Sequence, residues 1–372
     1  MIPWNPWMFN LAGIPAGQWW RLLANSFAQE NRFAVEPLFY HLFAFHTLFS
    51  LVNTACARSE ARVYGTAIAE TLVIEAPVFI VGSHRSGTTH LHNLLGLDDD
   101  QLAFPNTFQA IFPFSFLTCE KTLSTLVSLL VFRQRVMDAM ALNLQSPQED
   151  EFALSLLTFC SPYLWFLFPK HYERYLPYLG FDAVSPEEIR RWQTGLVWFV
   201  KKLTLRHQRR LVLKSPYHTA RIRLIREVYP DACFIHIYRD PYTVFQSFCH
   251  MMRILPWYMC LQDPRGVFAE DRLIEQYTLL YDHYFHDRPA IPGDRLHELS
   301  FEALERDPLA EIGAIYEKFG WCGFGRLVPK LRRYLDSIAG YRKNVFPEIA
   351  PPLKKRLAQA WQQNFETWRY PV

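Results

Sequence analysis

The chain has 372 residues, of which 50% are hydrophobic and 20% are charged, so it can fold around a large core and is not intrinsically disordered. Its 39 lysines and arginines nearly balance its 36 acidic residues, which leaves a formal net charge of +3. This balance excludes the strongly basic character of a nucleic-acid-binding protein, although a basic pocket for one anionic ligand would not show in the total.

The seven cysteines form no C-x-x-C pair, which argues against a disulfide framework and against a structural zinc site. The first ten residues lack the basic and apolar regions of a signal peptide. We therefore expect a cytoplasmic protein.

Residues 37–57 and 152–169 contain no Asp, Glu, Lys or Arg. Buried core helices, an apolar ligand pocket and peripheral contact with a membrane are the alternatives for these two stretches.

Residues 1–75 have apolar side chains at helical spacings and no rhythm of strands and turns. They are predicted to form a helical N-terminal extension that faces a membrane or a ligand, ahead of a domain formed by residues 76–372. That domain opens with the apolar run Val78-Phe79-Ile80-Val81, which is typical of a strand buried on both faces of a parallel sheet.

Similar apolar runs recur at residues 211–213 and 233–238, and a weaker one lies at residues 296–301. Helical patterns lie between them. Ser185-Pro186-Glu187-Glu188 is a capping box with proline at the first helical position, and residues 219–229 form a second helical pattern. Strands that alternate with helices predict an α/β fold with a central parallel sheet.

The segment that directly follows the first predicted strand has the composition of a phosphate-binding loop. Gly82, Gly87 and Thr89 match the pattern GxxxxGK[ST], but Thr88 stands in place of the lysine, and Arg85 is the long cation of the loop. A glycine-bearing loop between a strand and a helix directs backbone N–H groups at an anion. The displaced cation argues against a kinase or nucleotide triphosphatase, which needs its lysine on the β- and γ-phosphates.

A second candidate anion site follows the predicted strand at residues 233–238. Arg239 stands at the end of this strand, and Ser247 comes eight positions later on the next predicted helix. A cation at a strand end and a hydroxyl on the following helix can converge on one phosphate. An arginine paired with its neighbour Asp240 is the structural alternative.

Together these motifs resemble those of the PAPS-dependent sulfotransferase superfamily, and more distantly those of tyrosylprotein sulfotransferases; PAPS is 3′-phosphoadenosine 5′-phosphosulfate. Arg85-Ser86-Gly87-Thr88-Thr89 resembles the family's 5′-phosphosulfate loop, and Arg239 with Ser247 resembles its 3′-phosphate motif. Arg342 and Lys343 resemble the basic loop that closes over the nucleotide.

The resemblance covers roughly residues 76–346. It implies a three-layer fold like that of P-loop NTPases, PAPS as co-substrate, a hydroxylated acceptor and no metal. The oligomeric state is not indicated.

Sulfuryl transfer requires removal of the acceptor proton and stabilisation of charge on the leaving phosphate. Lys214 follows the predicted strand at residues 211–213, where active groups of parallel sheets cluster. The resemblance implies that Lys214 donates to the bridging or sulfuryl oxygens. His218 is a candidate base, although a histidine at a helix start without a catalytic role is an equal alternative.

Glu149, Asp150 and Glu151 are the other candidate bases, because three acids here precede an uncharged, aromatic-rich stretch. Their structural alternative is a helix start, since Ser146 and Glu149 have the spacing of a capping box. Tyrosylprotein sulfotransferases have an acidic base shortly after the phosphate loop, whereas residues 102–107 contain no acid. The base must therefore come from elsewhere in the chain.

Two other interpretations stay open at this point. A P-loop kinase or nucleotide triphosphatase would require magnesium and ATP. A non-catalytic nucleotide-binding protein would bind PAPS without forming a sulfated product. The aromatic, uncharged stretches favour a lipid, polycyclic or phenolic acceptor, while tryptophan and tyrosine side chains would also stack on a carbohydrate.

Overall fold

The computed structural model describes residues 11–27, 35–128 and 143–372. The strands of these residues are β1 (Val78–Val81), β2 (Leu102–Ala103), β3 (Arg210–Lys214), β4 (Cys233–Tyr238) and β5 (Leu296–Ser300). Their α-helices are α1 (Ala16–Phe27), α2 (Tyr40–Glu70), α3 (Thr88–Leu95), α4 (Thr107–Ile111), α5 (Phe116–Ser128), α6 (Glu151–Thr158), α7 (Leu164–Leu167), α8 (Tyr172–Tyr175), α9 (Pro186–His207), α10 (Ile222–Val228), α11 (Pro241–Ile254), α12 (Glu270–Asp287), α13 (Phe301–Arg306), α14 (Pro308–Lys318), α15 (Phe324–Ile338), α16 (Pro351–Ala360) and α17 (Gln362–Trp368).

The described residues pack as two compact units. The first unit contains the residues described up to position 74, together with residues from 105–208 and 252–269. The second unit contains residues 75–104, 209–251 and 270–372. The N-terminal helices thus share a unit with two later stretches of the chain. The division into an extension and a PAPS-binding domain stays a prediction.

The second unit is built on a parallel sheet with the strand order β2-β3-β1-β4-β5. The predicted α/β fold with a central parallel sheet is therefore confirmed, and the four apolar runs of the sequence form β1, β3, β4 and β5. The edge strand β2 was not predicted because it is only two residues long, too short for a periodic signal.

Helices cover both faces of this sheet, which gives the three layers that the family resemblance implied. Val78 and Ile80 of β1 belong to an apolar cluster with residues of α3, α14 and α15. Phe79 points to the other face, where its ring lies 5.4 Å from that of His218 and 5.8 Å from that of Phe234. Because both faces are covered, every residue of β1 is buried.

The capping box at Ser185 marked the start of a helix correctly, whereas another helix begins later than its sequence pattern predicted. The capping box at the start of α9 is formed, since the Ser185 hydroxyl accepts from the Glu188 N–H at 3.2 Å and the Glu188 carboxylate accepts from the Ser185 N–H at 2.9 Å. The helix predicted over residues 219–229 begins later, at Ile222, because Pro216–Ala220 forms a 3-10 turn.

The capping box predicted at Ser146 and Glu149 does not form. Pro147 instead pairs with Asn106 in an isolated antiparallel bridge, and the Gln148 N–H donates to the Pro105 carbonyl at 2.9 Å. These contacts hold the backbone out of helical conformation, so α6 begins only at Glu151.

The first unit holds α2 in place with a buried ion pair. Glu60 of α2 pairs with Lys202 of α9, and both side chains are almost completely buried. Glu60 also accepts from the Thr118 N–H of α5 at 3.0 Å, and Lys202 donates to the Pro113 carbonyl. Each charge is therefore matched by further hydrogen bonds, which a buried ion pair requires.

Within residues 11–27, 35–128 and 143–372, no helix is both long enough and apolar enough to cross a bilayer.

Replacing Lys202 with Met should lower the free energy of unfolding by about 3–5 kcal/mol, because Glu60 would stay buried without its cation. Denaturant unfolding followed by circular dichroism measures this loss. The matched control is Lys330→Met, which removes an exposed cation paired with Asp99 and should cost no more than about 1 kcal/mol. Equal losses in the two variants would contradict a structural role for the buried pair.

Candidate active site

The candidate site lies in the second unit, at the carboxyl end of the central strand β1. β1 is flanked by β3 on one side and β4 on the other. The chain passes to β2 and β3 first and then crosses to β4, so the strand order reverses at β1. In open parallel sheets, this reversal opens a crevice at the carboxyl ends of the strands, where ligands bind.

Two glycines allow the loop after β1 to run close to its neighbours. Gly82 has φ +142°, and a Cβ atom there would lie 2.3 Å from the Ile237 carbonyl oxygen of β4. Gly87 has φ +103°, and its Cβ would lie 2.3 Å from the ring of Phe301. Any side chain at these two positions would force the loop away from the sheet.

Hydrogen bonds fix the rest of the loop backbone. The Gly82 N–H donates to the Thr219 hydroxyl at 2.7 Å, and the Ser83 N–H donates to the Tyr281 hydroxyl at 3.3 Å. The buried Ser86 hydroxyl donates to the Ser83 carbonyl at 2.8 Å. The loop is therefore shaped in advance, before any ligand contributes a contact.

α3 begins at Thr88, directly after Gly87. Gly87 occupies the N-cap position and has no side chain to accept from the first-turn N–H groups. Those N–H groups and the positive end of the helix dipole suit an anion. Strand, loop and helix thus follow one another as the sequence predicted, and phosphate binding by this loop stays a prediction.

The predicted cations and hydroxyl meet beside this loop. The Arg85 Nε donates to the Ser247 hydroxyl of α11 at 2.9 Å, and the Arg239 Nη1 lies 3.4 Å from the Arg85 carbonyl oxygen. Ser247 therefore contacts the loop arginine in addition to following Arg239 in sequence. Asp240 does not pair with Arg239 as in the structural alternative; it accepts from the Thr243 N–H at 3.0 Å at the start of α11.

Phe301, which was not predicted as a site residue, organises two of these cations. The guanidinium carbon of Arg239 lies 4.3 Å from the centre of its ring, and the Lys343 Nζ lies 5.9 Å from it. Lys343 also pairs with Glu305 at 2.7 Å, whereas Arg342 is exposed. Aromatic rings attract cations over their faces, so Phe301 helps to hold a positive cluster together.

Burial lowers the pKa of Arg239 from its ordinary value, and the nearby charge of Arg85 adds to this effect. Glu302 and Glu305 oppose it. A cation held partly out of water makes a stronger electrostatic contact with an anion than one in solvent.

Lys214 also reaches the loop. It is the last residue of β3 and pairs in register with Ile80 of β1, and its side chain is buried. Its Nζ lies 3.4 Å from the Thr89 hydroxyl of α3. The parallel register therefore brings a buried ammonium group to the place where the loop would hold an anion.

Two histidines lie near the loop, of which the sequence analysis predicted only His218 as a candidate base. His218 is fully buried and packs edge-on against Phe79 on the face of the sheet. His84, which was not singled out, belongs to the loop, and its ring stacks on Phe248 at 5.2 Å and meets Tyr217 edge-on at 5.0 Å. His84 lies between Gly82 and Arg85 in the phosphate-loop motif, and this position could have marked it as a candidate site residue.

The three candidate acids belong to the first unit. Asp150 and Glu151 are buried, and Glu151 accepts from the Ser161 hydroxyl at 2.5 Å. Glu149 is partly exposed and accepts a hydrogen bond from the Tyr163 hydroxyl. Among the three, Glu149 is thus the carboxylate that solvent or a ligand can reach.

Fold and site define the class of this protein: a P-loop-like α/β protein with a cluster of cationic side chains at the switch point of its sheet. The sequence model of the sulfotransferase family matches residues 77–322. The chain belongs to the sulfotransferase family. It is a PAPS-dependent sulfotransferase, and this result rules out the P-loop kinase or nucleotide triphosphatase.

Two relatives agree with this assignment. The chain is 36% identical over 368 residues to the omega-hydroxy-beta-dihydromenaquinone-9 sulfotransferase Stf3 of Mycobacterium bovis, covering 99% of this chain and 93% of that protein. Stf3 of Mycobacterium tuberculosis matches equally well.

Two solved structures share the fold. The sulfotransferase STF9 of Mycobacterium avium is 21% identical, with a TM-score of 0.72 over 98% of this chain and 94% of that one. STF1 of Mycobacterium tuberculosis is 18% identical, with a TM-score of 0.64 over 94% of this chain and 92% of that one.

Proposed function

We propose that the carboxyl edge of this sheet binds PAPS and transfers its sulfuryl group to the hydroxyl of a hydrophobic lipid. The observation that carries the proposal is the meeting of Arg85, Ser247 and Arg239 at the glycine-bearing loop. These three groups come from separate elements of one unit, and as neighbours they offer two cations and a hydroxyl to the two phosphate groups of one nucleotide.

The donor would be held at both of its phosphate ends. The backbone N–H groups of residues 87–89 and the Arg85 guanidinium would bind the 5′-phosphosulfate, with Thr88 and Thr89 at the helix start. Arg239 and Ser247 would bind the 3′-phosphate. Lys343, which already lies over Phe301, and the exposed Arg342 would close over the nucleotide.

Lys214 is suited to support the transfer step. The acceptor oxygen forms a bond to sulfur while the bond from sulfur to the bridging oxygen breaks, and adenosine 3′,5′-bisphosphate leaves. Negative charge grows on that bridging oxygen. The Lys214 ammonium, placed 3.4 Å from Thr89, would donate to it.

Glu149 is our candidate for the general base that takes the proton of the acceptor hydroxyl. It is partly exposed, whereas Asp150, Glu151 and His218 are buried. Its hydrogen bond from Tyr163 would orient the carboxylate. A base must reach the proton that it removes, so exposure favours Glu149 over the other three.

The acceptor class follows from the relatives and the composition. Stf3, which is 36% identical over 99% of this chain, is named for a hydroxylated menaquinone. The aromatic residues that make up 16% of the chain suit a long apolar substrate. A lipid acceptor resides in a membrane, so we also expect a peripheral membrane contact. The cytoplasmic location expected from the sequence is kept in this proposal.

Arg85→Ala and Arg239→Ala should each weaken binding of adenosine 3′,5′-bisphosphate by about 1.5–3 kcal/mol, because each removes charge-assisted hydrogen bonds. That loss corresponds to roughly a 10- to 150-fold rise in Kd. Titration calorimetry measures the change, with Lys330→Ala as a control cation outside the site. Unchanged affinity in both variants would show that the nucleotide binds elsewhere.

Lys214→Ala should reduce kcat by roughly 10²–10³-fold, because it removes a donor aimed at the developing charge. The Kd for adenosine 3′,5′-bisphosphate should change much less than in the arginine variants. Transfer of labelled sulfate from PAPS to a hydroxylated prenylquinone provides the rate. A rate equal to that of the unchanged protein would rule out the role of Lys214.

Glu149→Gln should reduce kcat by roughly 10²–10⁴-fold and should remove the acidic limb of the pH–rate profile, because the amide cannot accept the acceptor proton. Tyr163→Phe is the matched control, since it keeps the carboxylate and removes only its hydrogen-bond donor. If Glu149→Gln keeps the acidic limb and His218→Ala loses it, the base is His218.

A further inference from the structure

The long helix α2 has its polarity inverted with respect to an ordinary surface helix. A surface helix normally buries an apolar stripe and exposes polar residues. The buried positions of α2 include His46, Ser50, Asn53 and Glu60. Its contacts with the rest of its unit therefore depend heavily on polar groups.

These polar contacts fix which side of α2 faces inward. The Asn53 side chain donates to the Ala12 carbonyl at 2.7 Å and to the Ile14 carbonyl at 3.1 Å. The Thr54 hydroxyl accepts from the Ala16 N–H at 2.8 Å. With the Glu60 ion pair two turns further on, α2 cannot rotate about its axis without breaking buried hydrogen bonds.

The outward side of α2 is strongly apolar. Leu48, Leu51 and Val52 are 69%, 60% and 50% exposed, and their spacing of three and four residues places them on one face. Five of the twelve exposed large hydrophobic residues in the described ranges belong to α2: Tyr40, Leu48, Leu51, Val52 and Val63. Exposed apolar side chains are ordinary when scattered, but a concentration on one helix marks an interaction surface.

Aromatic and basic residues border this apolar side. Trp20 of α1 is exposed and contacts Phe43 of α2 edge-on, with ring centres 6.5 Å apart. Arg21 is exposed beside Trp20, and Arg58 and Arg62 are exposed where the uncharged part of α2 ends. Tryptophan beside arginine, next to an apolar helix face, is the composition of helices that lie in a membrane interface.

Charge distinguishes a lipid surface from a second copy of the chain. The acidic residues of α2 are Glu60, which is buried against Lys202, and Glu70, which is exposed at the last position of the helix, two turns beyond Arg62. The exposed charges of α1 and α2 are therefore the three arginines Arg21, Arg58 and Arg62 against the one carboxylate of Glu70, so a partner copy presenting the same face would add further positive charge. Anionic lipid headgroups would supply the matching charge.

We propose that the surface formed by Trp20, Tyr40, Leu48, Leu51 and Val52 docks on an anionic lipid bilayer, with α2 parallel to the membrane plane. This inference rests on the proposed function, because docking would bring the enzyme to a lipid acceptor. The surface itself lies earlier in the chain than the phosphate loop. The apolar side chains would enter the boundary of the acyl chains, and Arg58 and Arg62 would lie among the headgroups.

Vesicle flotation tests this surface with the full chain. The unchanged protein should float with vesicles of phosphatidylcholine mixed with phosphatidylglycerol, and less with phosphatidylcholine alone. The triple variant Leu48→Gln, Leu51→Gln, Val52→Thr should lower the partition coefficient by about tenfold or more. Val345→Thr is the matched control, because Val345 is an exposed apolar residue far away in sequence, and this variant should float like the unchanged protein.

Two measurements keep the outcomes separate. Calorimetry with adenosine 3′,5′-bisphosphate shows whether the triple variant retains its nucleotide site, so a failure of docking is distinguished from a failure of the proposed function. Light scattering gives the mass in solution. The proposal is overturned if the unchanged protein does not float, if the triple variant floats equally well, or if the triple variant turns a dimer into a monomer without changing flotation.

Discussion

The close approach of the loop after β1 to its neighbours is the constraint on which the site depends. Gly82 runs against the carbonyl of Ile237, and Gly87 runs against the ring of Phe301. Glycine at both positions lets the loop pass this close to its neighbours. α3 can therefore start directly after Gly87, with its first-turn N–H groups at the end of the loop. The positions of Arg85, Lys214 and Arg239 matter only because this backbone is in place, since each of them contacts the loop or the helix that it starts.

The parts of the fold and site that could be predicted share one property, which is that a short stretch of sequence contains the whole signal. β1, β3 and β4 are mostly apolar and buried, β5 has a weaker apolar pattern, and the residues of the phosphate loop are contiguous from Gly82 to Thr89. Phe301 lies 214 positions after Gly87, so only folding could show that its ring fills the space beside that glycine. β2 also escaped prediction, because two residues cannot display a period.

The acids at positions 149–151 show why local patterns mislead. Ser146 and Glu149 have the spacing of a capping box, yet the backbone at Pro147 is held by a bridge to Asn106, which lies 41 positions earlier. A tertiary contact therefore overrides a local preference worth about 1 kcal/mol. The same limit applied to α2, because its uncharged stretch left a buried helix, an apolar pocket and membrane contact as alternatives. Only the hydrogen bonds of Asn53 and the ion pair of Glu60 show which side of this helix faces inward.

The backbone at Arg85 has a consequence for any attempt to make this enzyme more robust. Arg85 adopts φ +70°, a left-handed conformation that costs a residue with a side chain on the order of 1 kcal/mol. Glycine at position 85 would relieve that strain but would delete the guanidinium that contacts Ser247. With the proposed role of Arg85 in donor binding, glycine at this position would raise thermostability and weaken donor affinity. Selection for heat resistance alone would therefore favour variants that bind the donor less tightly.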